Sequence, residues 1–212
     1  MECSFYKDSL ILLEGAITNI TSKLEIIRKY KIINGEQDPI EYITSRIKSE
    51  KSMKDKLKRK NLDVTLYNAL NKVYDAAGIR IICPYIDDVY KVADMLKRYS
   101  DLRVVKEKDY IKNPKENGYR SYHIIFELSL DSAGTIKKVY VEVQIRTIAM
   151  DFWSSLEHEM KYKKNIKNPE IIAEELRECA NQIATTDINM QSIRNMINEE
   201  DNIWLMRRIL YD

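Results

Sequence analysis

Apolar residues at Tyr6, Leu10, Leu13, Ile17, Ile20, Leu24 and Ile27 recur in steps of three and four, the spacing of one helix face. This predicts a helix over residues 6–33 that stops near Asn34 and Gly35. A second such face starts at Pro169 and runs through Ile172, Leu176, Cys179, Ile183, Met190, Ile193 and Ile197, with Thr186 in the heptad gap. Both helices are expected to cover a core, and their narrow seams equally suit self-association. Between them the period changes. AGIRIICPY (Ala77–Tyr85) reads as a buried strand stopped by proline, and DDVYKVADMLKRYS as an amphipathic helix capped by Asp87 or Asp88. LRVVKEKDYI, YRSYHIIFELSL and IKKVYVEVQIRT read as strands, the last two joined antiparallel by a turn at Asp131–Gly134. IAMDFWSSLEHEMKYK returns to helical spacing.

The 212 residues then suit one domain: a core over about 39–163, the first helix, and a helical extension over 169–212. A formal net charge of +2 is too mild to name nucleic acid or a membrane as partner. Cys3, Cys83 and Cys179 are odd in number and far apart, which supports neither a disulfide framework nor a zinc site and fits a reducing cytoplasm. The first residues, MECSFYKDS, do not read as a secretory leader, and no apolar run approaches a bilayer span.

Side chains alternate along a strand. Val139, Val141, Val143 and Ile145 therefore share one face, and Tyr140, Glu142, Gln144 and Arg146 the other. The neighbouring strand, taken as Tyr119–Leu128, puts Tyr119, Ser121 and His123 together after a turn holding Lys112, Lys115 and Gly118. If these faces coincide they form a wall with a carboxylate, an amide, an imidazole, an aromatic ring and cations, an assortment suited to a nucleotide. The run Ser45–Lys60 adds Arg46, Lys48, Lys51, Lys54, Lys56, Lys58, Arg59 and Lys60 against Glu50 and Asp55. Such a run is usually a solvated face. Here Arg46 and Lys48 alternate around Ile47 while Lys56 and Arg59 sit three apart, so a strand and a helix could present four cations to a polyphosphate or to RNA. No aromatic platform for single-stranded RNA lies in the run. Asp75, ahead of the Gly78 strand, pairs in principle with Glu142 to hold magnesium against phosphate oxygens. A chain with five glycines contains no Walker loop, so arginine, lysine and stacking must do the binding.

Taken in order, SRIKS with Lys56 and Arg59, DAAGIRIIC, DYIKNPKENGYRSYH, VEVQIRT and AMDFWSSLEHEMKYK resemble the synthetase domain of the RelA/SpoT alarmone synthetases, over about Pro39 to Lys163. With nothing else in the chain, the resemblance is to the small stand-alone members. It implies an α+β fold, a mixed five-stranded sheet flanked by helices and nucleotidyltransferase-like. It also implies transfer of the ATP β,γ-pyrophosphate to the 3′-hydroxyl of GMP, GDP or GTP. On this resemblance Arg46 and Arg80 sandwich adenine, and Lys48, Lys56 and Arg59 take the ATP phosphates. Asp75 and Glu142 hold Mg2+, with Glu142 a candidate general base. Tyr119 stacks on guanine, and Lys115, His123 and Gln144 surround the acceptor. His158 reads as a structural hydrogen-bonding residue.

Asp151 stands where small members often place Asn, beside guanine or ribose, which leaves the preferred acceptor open. Thr21 and Glu25 occupy the region where some tetrameric members bind their product through basic side chains, so product activation is expected to be weak. A homotetramer is the assembly the resemblance implies. Two other readings compete: an RNA-binding regulator with a degenerate core, and a nucleotidyltransferase that releases pyrophosphate.

Overall fold

The computed structural model describes the backbone over residues 5–162 and 168–211 and side chains over 5–160 and 168–199; Cys3, Lys163 and Asp212 lie outside them. Helix α1 spans Ser9–Ile33, starting after Tyr6, and buries Leu13, Ala16, Ile20, Leu24 and Ile27, while Leu10 and Ile17 of the predicted stripe are partly buried. It ends at Asn34, and Gly35 takes a left-handed φ of 69°. There the amide N–H groups of Gly35 and Glu36 donate to the Ile32 and Lys31 carbonyls, closing the last turn on itself.

Five strands follow, β1 (Tyr42–Ile47), β2 (Ala77–Cys83), β3 (Arg103–Asp109), β4 (Tyr122–Ser132) and β5 (Thr135–Thr147), interspersed with helices α2 (Glu50–Arg59), α3 (Leu66–Asn71) and α4 (Ile86–Lys97). The sheet order is β1-β2-β5-β4-β3, with β2 and β5 parallel at its centre and the remaining pairs antiparallel. The mixed five-stranded sheet expected from sequence is therefore present. The β4–β5 hairpin turns on Ala133 (φ 51°) and Gly134 (φ 82°), a left-handed pair whose twist suits a two-residue connection. Asp131 Oδ1 accepts from the Gly134 N–H at 2.8 Å.

One sheet face carries Ile79, Ile81, Ile124, Phe126, Val141, Val143 and Ile145, all at most 1% exposed, and packs with the α1 stripe and with Val89, Val92 and Leu96 of α4. The other face is left for polar residues and, at one end, for α5 (Ile148–Tyr162) and α6 (Pro169–Tyr211).

Three expectations change. Helix α4 is capped by Tyr85 without a side-chain bond, and Asp87 and Asp88 fall in its first turn, where carboxylates still suit the helix dipole. Strand β4 begins at Tyr122 rather than Tyr119, because the preceding residues are held by the turn and by Arg146. Helix α6 does not dock by its predicted apolar seam. Ala180 and Asp187 are buried, while Met190, Ile193 and Ile197 stay 48%, 44% and 54% exposed. Polar anchors set this rotation: Trp153 Nε1 donates to the Leu176 carbonyl at 2.9 Å, Thr147 Oγ1 to Asp187 at 2.6 Å, and Arg194 to Asp88 at 2.5 Å.

Candidate active site

The strand registers place the chemistry. Arg46 lies opposite Gly78, Gly78 beside Glu142, and Glu142 opposite Ile125. One row on, Thr44, Arg80, Gln144, His123 and Lys108 line up across all five strands. Since alternate residues share a face, Arg46, Arg80, Glu142, Gln144, Arg146, His123, Lys106 and Lys108 rise from the side of the sheet opposite the core.

Two adjoining cavities open there, of about 280 and 250 Å3, and both are lined by Asp75 and Glu142. The first also meets Lys56, Lys60, Lys72, Lys106, Lys108, Lys115, Tyr110 and His123; the second meets Arg46, Lys48, Arg80 and Gln144. The shared pair of carboxylates separates the predicted residues, but not along the expected groups: Lys56 lines the cavity that holds Lys115 and His123, Gln144 lines the one that holds Arg46 and Arg80, and Tyr119 and Asp151 line neither.

Asp75 sits two residues ahead of β2. Its Oδ2 takes Lys48 Nζ at 2.9 Å and Lys56 Nζ at 2.5 Å, while Oδ1 is buried with no hydrogen-bond partner. Glu142 is bracketed by His123 Nδ1 at 3.5 Å and by Gln144 Nε2, which donates at 2.8 Å. Burial works to raise its pKa, but the bonds and charge of His123, the Gln144 amide and Lys56 outweigh it and bring it down to about 2. The buried free oxygen of Asp75 and the firmly ionised Glu142 are a donor pair that fits a hard divalent cation completed by phosphate and water oxygens.

Arg80 sits in the second cavity with Nε buried and unpartnered and Nη1 3.3 Å from Asp151. Burial, followed by the charge of Arg146, lowers its pKa. Arg46 is exposed beside it. Arg59 is exposed on α2 and lines neither cavity, and Lys60, just past the helix, lines the first cavity instead.

On the other side, Tyr119 Oη meets His123 Nε2 at 2.9 Å and accepts from Arg146 Nη2 at 2.6 Å. Lys115 Nζ lies 4.6 Å from the centre of the Tyr119 ring, and the Arg146 guanidinium 5.1 Å from it. Arg146 is 3% exposed, and also donates to Gln144, Asp151 and Ser154. Asp151 is itself buried. It binds Arg146 at 3.0 Å, Arg80 at 3.3 Å and Tyr42 Oη at 3.0 Å, so it joins the two groups of site residues. Its carboxylate is spent on these cations, a different placement from the guanine edge expected for it. His158 is exposed on α5 and lines neither cavity.

Sequence reasoning did not select Tyr42, Lys60, Lys72, Lys106, Lys108 or Tyr110, and placed Arg146 on the right face without a role. The alternation of Lys106, Lys108 and Tyr110 was available as a signal, but only the position of β3 next to β4 turns it towards the site.

This cationic cleft with a carboxylate pair on a mixed sheet matches a known family. The pattern described as the region found in RelA / SpoT proteins covers residues 45–167, and the chain belongs to that family. Among its relatives is GTP pyrophosphokinase YwaC of Bacillus subtilis (strain 168), 42% identical over 194 residues that span 91% of this chain and 92% of that one. Its fold is similar to that of small alarmone synthetase 2 of Bacillus subtilis (TM-score 0.80, 41% identity, 90% of this chain and 98% of that one). It is also similar to small alarmone synthetase 1 of the same organism bound to its product pppGpp (TM-score 0.80, 35% identity, 87% and 94% covered).

Proposed function

We propose that the protein is an alarmone synthetase that transfers the β,γ-pyrophosphate of ATP to the 3′-hydroxyl of a guanosine nucleotide and releases AMP. The observation that carries the reading is the pair Asp75 and Glu142 at the wall shared by two cavities, one lined by Arg46 and Arg80 and one lined by Lys115 and by His123, which bonds Tyr119. Two nucleotides bound on either side would meet at that wall.

On the donor side, Arg46 and Arg80 offer planar cations to adenine, and Lys48 and Lys56 offer ammoniums to the phosphates. These lysines share one Asp75 oxygen, and a polyphosphate is the stronger competitor for them. Asp75 and Glu142 would hold Mg2+, which would supply positive charge to offset that of the phosphates. On the acceptor side Tyr119 offers a ring to guanine once Lys115 moves from it to a phosphate. His123 links Tyr119 to Glu142 and so ties the base platform to the reacting end. Glu142 in this reading orients His123, shares the cation and is the candidate general base for the 3′-hydroxyl. Lys60, Lys72, Lys106 and Lys108 supply further charge for acceptor phosphates, so GDP and GTP are favoured over GMP. Asp151 acts as the brace between Arg80 and Arg146.

We read the run Ser45–Lys60 as part of the nucleotide site rather than as the RNA grip considered from sequence. Met53 and Leu57 are buried, Asp75 takes Lys48 and Lys56, and Glu50 takes Lys54. We further propose a cytoplasmic homotetramer. Exposed Ile188, Ile193, Met196 and Ile197 on α6 offer it an apolar face, and among the described residues no helix is long and apolar enough to cross a membrane.

The test is incubation with magnesium, γ-labelled ATP and GMP, GDP or GTP in turn, with products separated. Label in a guanosine product with equimolar AMP is expected. Release of free pyrophosphate without AMP, or no transfer by folded protein, overturns the reading.

A further inference from the structure

The acceptor loop between β3 and β4 carries Lys115 and Tyr119, yet its tip is held from outside the sheet. Arg120 Nη1 donates to the Gly118 carbonyl of its own loop at 3.0 Å and to the Ala180 carbonyl of α6 at 3.2 Å, and Nη2 donates to Asn181 Oδ1 at 3.1 Å. One guanidinium thus joins residues sixty positions apart. Gly118 is buried here with a left-handed φ of 84°, and a Cβ on it would stand 2.5 Å from the Ala180 Cβ. The loop backbone comes as near to α6 as a chain without a side chain allows.

Inside the loop the bonds connect that contact to the acceptor residues. Gly118 N–H donates to the Lys115 carbonyl at 2.8 Å, and Lys115 N–H to the Tyr119 carbonyl at 3.2 Å. Lys115 and Tyr119 therefore move with Gly118. Beside the contact a cleft of about 500 Å3 remains between loop and helix. The clamp is polar and local, and the loop has another tie to the helical end through Asn117 Nδ2, which donates to Glu157 of α5 at 2.9 Å.

We infer that Arg120 is a positioning residue for the acceptor nucleotide, and that α6, which lines neither substrate cavity, sets the placement of Lys115 and Tyr119 through it. The inference rests on the proposed assignment of the Tyr119 side to the acceptor. A loop freed from α6 would sample more conformations and bind guanosine nucleotide more weakly, while the donor side, on β1, α2 and β2, would be untouched.

The experiment measures KM for GDP and for ATP, with equilibrium binding of each, in Arg120→Ala, Arg120→Lys and Ala180→Leu. Arg120→Ala is expected to raise the GDP KM and Kd by about tenfold, with ATP binding and KM within about twofold and kcat at saturating GDP largely kept. Arg120→Lys, which can still reach one carbonyl, should recover part of that loss. Ala180→Leu should reproduce it from the helix side by pushing on Gly118. Equal losses for both nucleotides, or an unchanged GDP Kd in folded Arg120→Ala, would overturn the inference. If Arg120→Ala does not fold, Ala180→Leu decides by the same split. A wild-type protein that binds GDP but forms no AMP defeats the proposed reaction alone, since the binding comparison still tests the clamp.

Discussion

The two sides of the Asp75–Glu142 wall are built on opposite principles. On the donor side the groups are short of partners: Arg46 is exposed, Arg80 Nε is buried without a hydrogen bond, and two lysines divide one carboxylate oxygen. On the proposed acceptor side the base platform is saturated, with Tyr119 bonded to His123 and Arg146, and Arg146 bonded in turn to Gln144, Asp151 and Ser154. Cations left without a full set of partners gain most from a highly charged ligand, because the ligand supplies what the fold withholds. A platform for a neutral base gains little from charge and must instead be rigid, so its ordering is completed during folding. In this reading ATP organises its own site, and the guanine finds its ring platform already braced once Lys115 has swung to a phosphate.

Residues at the wall belong to both sides, and their removal should produce the largest effect. Glu142→Gln keeps the shape but loses the charge that faces His123 and the proposed cation. Turnover should drop by about 10²-fold or more, with both KM values changing by less than about threefold. A folded Glu142→Gln protein with full activity would end the assigned role. Away from the wall the effects should separate by side. Tyr119→Ala should raise the acceptor KM by about 10- to 30-fold, the scale of losing one base–aromatic stack, and leave the ATP KM in place. Arg46→Ala should do the reverse, with about five- to tenfold on ATP alone. Steady-state kinetics with each substrate varied in turn checks both. If either variant weakened the two nucleotides equally, the division into sides would fail.

The same contrast explains what could be read from the chain before any coordinates. The faces of β5 were legible because period-two alternation needs no knowledge of neighbours, and Val139, Val141, Val143 and Ile145 are indeed buried. Helix α1 was legible for a like reason, since its stripe meets an apolar sheet. Helix α6 carries a stripe of the same spacing and turns it outward, because Asp187, Leu176 and Arg194 are fixed by partners on other elements. Hydrophobic periodicity ranks faces by apolarity, and a few buried polar bonds at the far ends of a helix can overrule that ranking. Arg46, Lys48, Asp75 and Arg80 stood out as motifs, and they line one cavity together. The lysines of β3 did not, because their relevance depends on strand order, and Asp151 was placed at the acceptor because its two arginine partners come from separate strands.

The smallest expected effect concerns the bond that seats α6 beneath the acceptor loop. Asp187 is buried against Thr147, whose hydroxyl donates to it and also accepts from the Met150 N–H at the start of α5. Burial raises the Asp187 pKa, and the Thr147 bond offsets only part of that rise. For an acid raised in the folded state, the contribution to stability is fully present below the unfolded pKa, ordinarily about 3.9, and is lost as pH climbs through the folded value. At neutral pH Asp187 is therefore a net cost of burying charge. Asn in its place retains an oxygen for Thr147 and carries no charge. Asp187→Asn should melt about 1–3 °C higher than wild type near pH 7.5, and the gap should close as pH falls below about 4. Thermal unfolding of both proteins across that range checks it. Wild type melting higher at pH 7.5 would mean that the Asp187 charge is paired, and that α6 is held by an ion pair rather than by a neutral bond. In that case the polar seat of α6 would be stronger than the geometry indicates, and the acceptor side more rigid still.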